Sequence, residues 1–426
     1  MRQGKRHRAV AASIALAAAV GLSACAPPAE VPIAGPTPID RAFPDETQAQ
    51  LEDAVTHAMA AAGASGAVVG VWAPWSGTWV TGLGTQQMGG GAEITDDMRF
   101  RAARLTRPMV CDVLYDLVDS DTVALADSVT DYVPGVPDLS DVTLDDLCDS
   151  TSGVGSFADR LQGIWIGNPT RRWDPREQVS YGLAKPRASA PGATYVDADT
   201  NYVLLGLALE RATGRSLSDL IASHVTVPLG LAATQLPSLG TTAVASDAPV
   251  LTGHHSLPDG AGELDCAEPV DRTQLSASVG YGDTGVVSDI HDVGKYVRAL
   301  AVGALQKEGA ERFDNVMPAY AGAPTWYTAD GGALHAGALV GQTGSTLGYA
   351  VSAWSDPNSG LTVAVVLNNS ASGGNLVTAL AWELAAIASK APAAPGATLP
   401  EAGLPWTAEQ YHDAVTQGAI CPIPAP

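Results

Sequence analysis

A serine one helical turn before a lysine shares its face and can pass it a proton, so the lysines mark where acyl transfer could occur. The chain has five: Lys5, Lys185, Lys295, Lys307 and Lys390. None has a serine three residues before it. Beyond the N-terminal segment those positions hold Gly182, Asp292, Ala304 and Ile387. No Gly-x-Ser-x-Gly elbow occurs either. The metal motifs are equally incomplete. His254-His255 and Asp289-x-His291-Asp292 lack zinc-ligand spacing and read as a loop and a helix start. Asp197-Ala198-Asp199-Thr200-Asn201 opens like a calcium loop, but Tyr202 replaces the required glycine and Ala208 the closing glutamate. No metal and no cofactor is expected. Trp72, Trp75 and Trp79 could form a ligand platform, but on strands near a hairpin they read as packing.

The start of the chain has a different chemistry. Arg2, Lys5, Arg6 and Arg8 precede an apolar run, Ala9 to Leu22, of signal-peptide length and too short to span a bilayer. It ends in Leu22-Ser23-Ala24-Cys25, which resembles a bacterial lipobox. Cleavage before Cys25 would leave its thiol to carry the lipid, placing the protein on the extracytoplasmic side of the cell membrane. Loss of residues 1–24 removes four basic and no acidic residues, so the formal charge of −22 becomes −26. This acidity argues against a nucleic-acid partner. The remaining cysteines, Cys111, Cys148, Cys266 and Cys421, suit disulfides in an oxidising compartment. They allow three pairings, of which Cys111–Cys148 with Cys266–Cys421 is the expectation.

The elements that must position any site follow from periodicity and turn residues. Residues 25–45 form a Pro- and Ala-rich linker expected to stay extended. A helix is predicted over Thr47–Ala62, strands over Ala67–Ala73 and Thr78–Leu83, and helical periodicity over Phe100–Asp119. Between about 120 and 275 the pattern is helices separated by Pro- and Gly-rich loops, with one clear helix over Thr200–Ala212. Near the end, Ala350–Trp354 and Leu361–Leu367 read as a hairpin and Asn375–Ser389 as a helix. The tail, 391–426, carries a capping-box helix opened by Thr407-Ala408-Glu409-Gln410. Strands at both ends with helices between predict an α+β protein. Its antiparallel sheet would be flanked by helices, with an inserted all-helical subdomain. The domain is placed at 46–390, with 46–110 and 280–390 forming the α/β part and 111–279 the helical part.

Four segments resemble the serine β-lactamase-like family of class C β-lactamases, D-alanyl-D-alanine carboxypeptidases and esterases. Phe100-Arg101-Ala102-Ala103-Arg104-Leu105-Thr106-Arg107 is similar to the family's F-R-I-G-S-x-T-K helix start. Val142–Leu147 with Ser150-Thr151-Ser152-Gly153 is similar to I-T-I-R-H-L-L-T-H-T-S-G. Pro191-Gly192 through Asn201–Gly206 is similar to the Y-S-N segment, and Gly341-Gln342-Thr343-Gly344-Ser345 through Asn368 to G-H-T-G and the closing hairpin. Gly280–Gly285 before Ser288-Asp289 is similar to a small-residue turn and helix cap. The resemblance covers most of 46–390 and implies a β-lactamase/transpeptidase-like fold.

The catalytic residues do not carry over. Arg104 stands at the serine position and Arg107 at the lysine position. A guanidinium is neither a nucleophile nor a base near neutrality. Asp197-Ala198-Asp199 replaces Tyr-Ser-Asn, and Gln342 replaces the His or Lys of the third motif, while Thr343 and Gly344 remain. Thr106 falls on the wrong helical face. Ser152 and Ser345 should border the cleft, without an obvious base nearby in sequence. The coupled change to two arginines and two aspartates predicts that Arg104 or Arg107 pairs with Asp197 or Asp199. The expected protein is a pseudoenzyme that binds a cell-wall peptide, a small ligand or an envelope protein. Its rivals are a hydrolase with rebuilt chemistry and a structural protein with a filled cleft.

Overall fold

The computed structural model describes residues 30–424, apart from residues 137, 246, 308, 309 and 402. The lipobox cysteine Cys25 therefore lies outside the described residues. The first helix, α1, spans Asp45–Ala62 and stops where Gly63 takes a left-handed conformation, φ +59°. Strands β1 (Gly66–Ala73), β2 (Gly77–Gln87) and β3 (Gly90–Glu93) follow.

The helical region begins with α2 (Thr106–Asp119) and continues through α3 (Leu144–Cys148), α4 (Ala158–Gly167), α5 (Pro175–Leu183) and α6 (Asp199–Thr213). Thr143 and Asp146 form a reciprocal capping box that starts α3. Helix α7 (Ile290–Ala301) starts at Asp289, whose carboxylate accepts the Asp292 amide. Then come β4 (Met317–Pro318), β5 (Tyr327–Asp330), β6 (Ala333–Ala336), β7 (Leu339–Thr346), β8 (Tyr349–Ser355) and β9 (Thr362–Leu367). Helices α8 (Gly373–Ser389) and α9 (Ala408–Gln417) close the chain, α9 opening with the Thr407/Gln410 capping box.

These nine strands form one antiparallel sheet in the order β3-β2-β1-β9-β8-β7-β6-β5-β4. Both faces are covered, which explains the nearly unbroken apolar run Thr-Val-Ala-Val-Val-Leu of β9. Val69, Val71, Val363 and Val365 face α1 and α8, whereas Val68, Ala364 and Val366 face α7 and the helical region. The N- and C-terminal parts of the chain meet where β1 pairs with β9, and the helical region is inserted between them. This is the expected α+β architecture. Among the described residues no helix is long and apolar enough to cross a membrane.

Several local expectations need correction. Helical periodicity over 100–119 does not yield one helix. Phe100–Arg101 pairs as a strand with Val287–Ser288, a tight turn occupies 103–105, and α2 begins at Thr106. Tertiary pairing wins there, because Phe100 is fully buried and the Arg101 guanidinium donates to the carbonyls of Thr242 and Leu275. His254-His255 is not a loop: both residues are buried and pair in a short ribbon with the exposed Val270-Asp271. The described part of the linker does not stand away from the domain. The Val31 amide bonds the Pro228 carbonyl, the Thr78 amide bonds the Arg41 carbonyl, and Phe43 is buried. The tail is docked as well, with Trp406 and Val415 in the core. The cysteines pair as Cys111–Cys148 and Cys266–Cys421, with Cα separations of 5.6 and 5.9 Å.

The helical region is joined to the sheet by a buried carboxyl pair. The Gly331 amide donates to Asp149 at 2.9 Å and to Asp330 at 3.0 Å. Asp145, Tyr115 and Arg312 face the same spot, Arg312 being paired with Asp112 and bonded to the Gly331 carbonyl. Burial, then Asp145 and Asp330, push the Asp149 carboxyl up to about 8. Asp330 is also raised, first by burial. A carboxyl raised in the folded state binds its proton more tightly there than in the unfolded chain, so its contribution to stability is lost as pH rises through that range. The melting temperature should therefore fall between pH 5 and pH 8. In Asp149→Asn, which keeps the acceptor for Gly331, the fall should be smaller. Calorimetric melts of both proteins across this range check it.

Candidate active-site cleft

The cleft lies where α2, α6, β7 and the turn Tyr281–Thr284 converge. Ala103 holds φ +49° immediately before Arg104, and Tyr281 holds φ +37° two residues before Asp283. Such backbone costs about 1–3 kcal/mol per residue and persists only where its surroundings enforce it. Here the enforcement is visible: the Ala102 amide bonds the Val286 carbonyl, and the Thr106 hydroxyl accepts the Val286 amide.

Arg107, in the first turn of α2, is buried. Its Nε donates to Asp283 at 2.7 Å, its Nη1 to Asp197 at 2.7 Å, and its guanidinium lies 4.7 Å from the centre of the Tyr202 ring. Nη2 has no partner among the described residues. Arg104, in the turn before α2, keeps about a third of its side chain exposed (35%) and donates through Nη1 to the other oxygen of Asp197, again at 2.7 Å. One carboxylate therefore sits between two guanidiniums. Partial burial would raise the Asp197 carboxyl, but Arg104 and Arg107 outweigh it and hold the group well below the usual carboxylate range.

Asp199 does not join this cluster, although the sequence pattern allows it. It accepts the Ser156 hydroxyl at 2.7 Å and the amides of Phe157 and Ala158 at 2.8 and 2.9 Å, and so caps α4. The alternation in Asp197-Ala198-Asp199 explains this. Asp197 precedes the helix while Asp199 is already its first residue. Asp283 takes the second pairing role. Its sequence signal was only a carboxylate inside a Gly-rich turn, and no local pattern connects residue 283 to residue 107.

The third motif lies on β7. Gln342 is buried in the sheet, donating to the Gly332 carbonyl and accepting the Thr343 amide, each at 2.9 Å. It points to no reacting group. The Thr343 hydroxyl bonds that of Thr378 at 2.6 Å. Gly344 has a direct steric purpose: a Cβ there would lie 2.4 Å from Cδ of Arg104. The Arg104 stem therefore crosses β7 only because position 344 has no side chain. Ser152 is fully buried against Asn201. Ser345 borders the cleft with no hydrogen bond to a basic side chain among those of the described residues. One serine pairing was missed from sequence: Ser370 Oγ and His255 Nδ1 lie 2.8 Å apart on the cleft wall. Burial, then Arg272, lower the His255 imidazole, which keeps it neutral. Among the described residues no cluster of three or more His, Cys, Asp or Glu could hold a metal ion.

Arg104 divides the cleft into two lobes. The smaller, about 190 Å³, is bordered by Asp199, His255, Asp283 and Ser370. The larger, about 660 Å³, is bordered by Tyr195, Trp326, Tyr327, Thr343 and Asn375.

A helix-covered antiparallel sheet with a cleft at the start of α2 defines the serine-hydrolase class that includes β-lactamases and penicillin-binding proteins. The chain belongs to the Beta-lactamase family, whose model matches residues 51–387. It is 33% identical over 155 residues to esterase EstB of Burkholderia gladioli, covering 33% of this chain and 39% of EstB. It is 31% identical over 147 residues to the D-alanyl-D-alanine-carboxypeptidase/endopeptidase AmpH of Escherichia coli K12, covering 32% of this chain and 36% of AmpH. The chain thus spans under half the length of these curated relatives. The fold is shared with a D-stereospecific amidohydrolase from Streptomyces sp. (TM-score 0.65, 24% identity, 78% of this chain and 96% of that one). It is also shared with an octameric penicillin-binding protein homologue from Pyrococcus abyssi (TM-score 0.67, 21% identity, 85% and 80%).

The two arginines should differ sharply when removed. Arg107→Ala strands the buried Asp283, leaves Asp197 with Arg104 alone, and should cost about 3–5 kcal/mol. Arg104→Ala leaves Asp197 with Arg107 and should cost about 1 kcal/mol or less, because this pair is half open to solvent. Urea unfolding of both variants measures the difference.

Proposed function

We propose that this protein is a catalytically inactive member of its family, a lipoprotein held at the extracytoplasmic face of the cell membrane through Cys25. Its open cleft binds a cell-wall peptide, a small ligand or an envelope protein. The observation that carries the reading is the Arg104–Asp197–Arg107 bridge. It occupies the positions matched to the family's nucleophile, base and proton shuttle. Neither guanidinium can attack an acyl carbon, and both oxygens of Asp197 are engaged by them. Asp197 is held as an anion by two permanent cations, so it offers no proton to a leaving group. Binding rather than a purely structural role is favoured because the larger lobe remains open at a volume typical of small-molecule sites.

One observation favours a second reading, a hydrolase with rebuilt chemistry. Ser370 and the neutral His255 have the separation of a nucleophile and its base. Against it, Ser370 Oγ already accepts the Gly348 amide at 2.9 Å. No carboxylate bonds the other nitrogen of His255 among the described residues, as an orienting partner would.

Fluorescent penicillin and a fluorophosphonate probe decide between the two. The intact protein should take up neither label. Labelling that disappears in Ser370→Ala would establish the second reading. An Arg104→Ser, Arg107→Lys double variant run alongside shows whether the cleft still admits the probes.

The anchor has its own test. Wild-type protein should partition into the detergent phase of Triton X-114 and incorporate labelled palmitate. Cys25→Ala should do neither, and equal partitioning of the two would remove the lipoprotein assignment.

A further inference from the structure

The larger lobe has a composition that the family fold does not require. Six aromatic side chains line it: Tyr195, Tyr320, Trp326, Tyr327, Trp382 and Tyr411. They come from four separate stretches of chain. Tyr411 belongs to α9, which lies beyond the residues matched to the family. Helix α9 is fastened to the body by the Cys266–Cys421 bridge just after it. Its ring packs edge-on against Trp382 at 5.1 Å, and Trp382 stacks on Trp406 at 5.0 Å. The tail thus builds one wall of the lobe. Trp326 and Tyr327 pack directly on this wall, with rings 5.6 and 5.1 Å from Trp382 and with Trp326 5.2 Å from Trp406. Rings at these separations touch one another and leave no gap between them, so a further planar ring would pack on the surface they present to the lobe.

Charge in the lobe is confined to its floor. Among the described residues Arg104 and Asp197 are its only charged lining residues. Both oxygens of Asp197 are engaged, one by each arginine. Asp283 lies on the side of the smaller lobe and is bonded to Arg107. Arg104 bonds Asp197 through Nη1 only, and its guanidinium is partly exposed. The charged group left to a ligand in the larger lobe is therefore a cationic planar edge, whose two parallel donors match a carboxylate.

We propose that the cleft binds a small aryl carboxylate, with its ring packed on the aromatic surface that Trp326, Tyr327 and Tyr411 present to the lobe and its carboxylate on the outer edge of Arg104. The proposal rests on reading the cleft as a binding site, and it names the occupant.

Calorimetric titration of the full-length chain with 3-phenylpropionate, 3-phenylpropionamide and acetate tests it. The phenylpropionate should bind at least about tenfold tighter than either the amide or acetate, one charge-assisted contact and one buried ring accounting for the two differences. In Arg104→Gln the carboxylate and amide should bind equally. Trp326→Ala should weaken both aryl ligands while leaving the preference for carboxylate. Tyr320→Ala, at a position over half exposed and so safe for folding (55%), should do the same to a smaller degree. The proposal is overturned by absence of binding, by equal affinity for acid and amide in the wild type, by a preference that survives Arg104→Gln, or by ring-wall variants that bind as wild type. Covalent labelling of the intact protein alongside a carboxylate preference would remove the inactive reading and leave this one. Absence of both labelling and binding would do the reverse.

Discussion

A guanidinium with no access to water must be matched by charge at close range, and the cleft is organised around satisfying that demand for Arg107. The idealised cost of moving such an ion from water into a protein interior is of order 20 kcal/mol, and the effective cost is still several. Asp197 and Asp283 offset it, with Tyr202 contributing its ring face. These partners come from three places: the strand-like approach to α6, the turn before α7, and α6 itself. Satisfying Arg107 therefore holds the helical region, the sheet-side turn and the start of α2 in one register. The role differs from that of a catalytic lysine, which must be able to lose its proton. This cation is held charged, its guanidinium raised further by the two carboxylates despite burial.

Arg104 is a less costly addition to the same joint. It reaches Asp197 across Gly344, and its exposed guanidinium forms the ridge between the two lobes. The shape of the cleft follows from that ridge. A serine at position 104 would leave one continuous groove. An arginine leaves a small polar lobe beside His255 and Ser370 and a large aromatic lobe under the C-terminal tail. The strained backbone at Ala103 and Tyr281 flanks this ridge. It serves the ion-pair joint, aiming residue 104 at Asp197 and residue 283 at Arg107.

Two disulfides fasten the elements around the cleft. Cys111–Cys148 ties α2 to α3, beside the Asp149–Asp330 pair that joins the helical region to β5. Cys266–Cys421 ties the tail to the long irregular stretch after α6. Closing loops of 37 and 155 residues removes freedom mainly from the unfolded chain. Both bridges hold elements that contribute to the cleft or its walls without entering it.

Much of the architecture could be read along the chain, because hydrophobic periodicity and turn residues are local. The apolar run of β9, the helix of residues 199–213 before Gly214, the capping boxes at Thr143 and Thr407 and the Asp289 cap all follow from neighbours within a few positions. Order and spacing of four degenerate motifs were enough to identify the fold and to locate Arg104, Arg107 and Asp197 in one cleft. Whether a carboxylate reaches an arginine is decided by geometry across long separations. Asp197 and Asp199 look equivalent in sequence, yet one residue of backbone direction sends the second to cap α4. Asp283 lies 176 residues from Arg107, and Ser370 lies 115 from His255, distances over which no local pattern operates. The aromatic lobe was invisible for the same reason. Its rings are scattered from residue 195 to residue 411, and only the docking of the tail on α1 and α8 places the last of them beside the others.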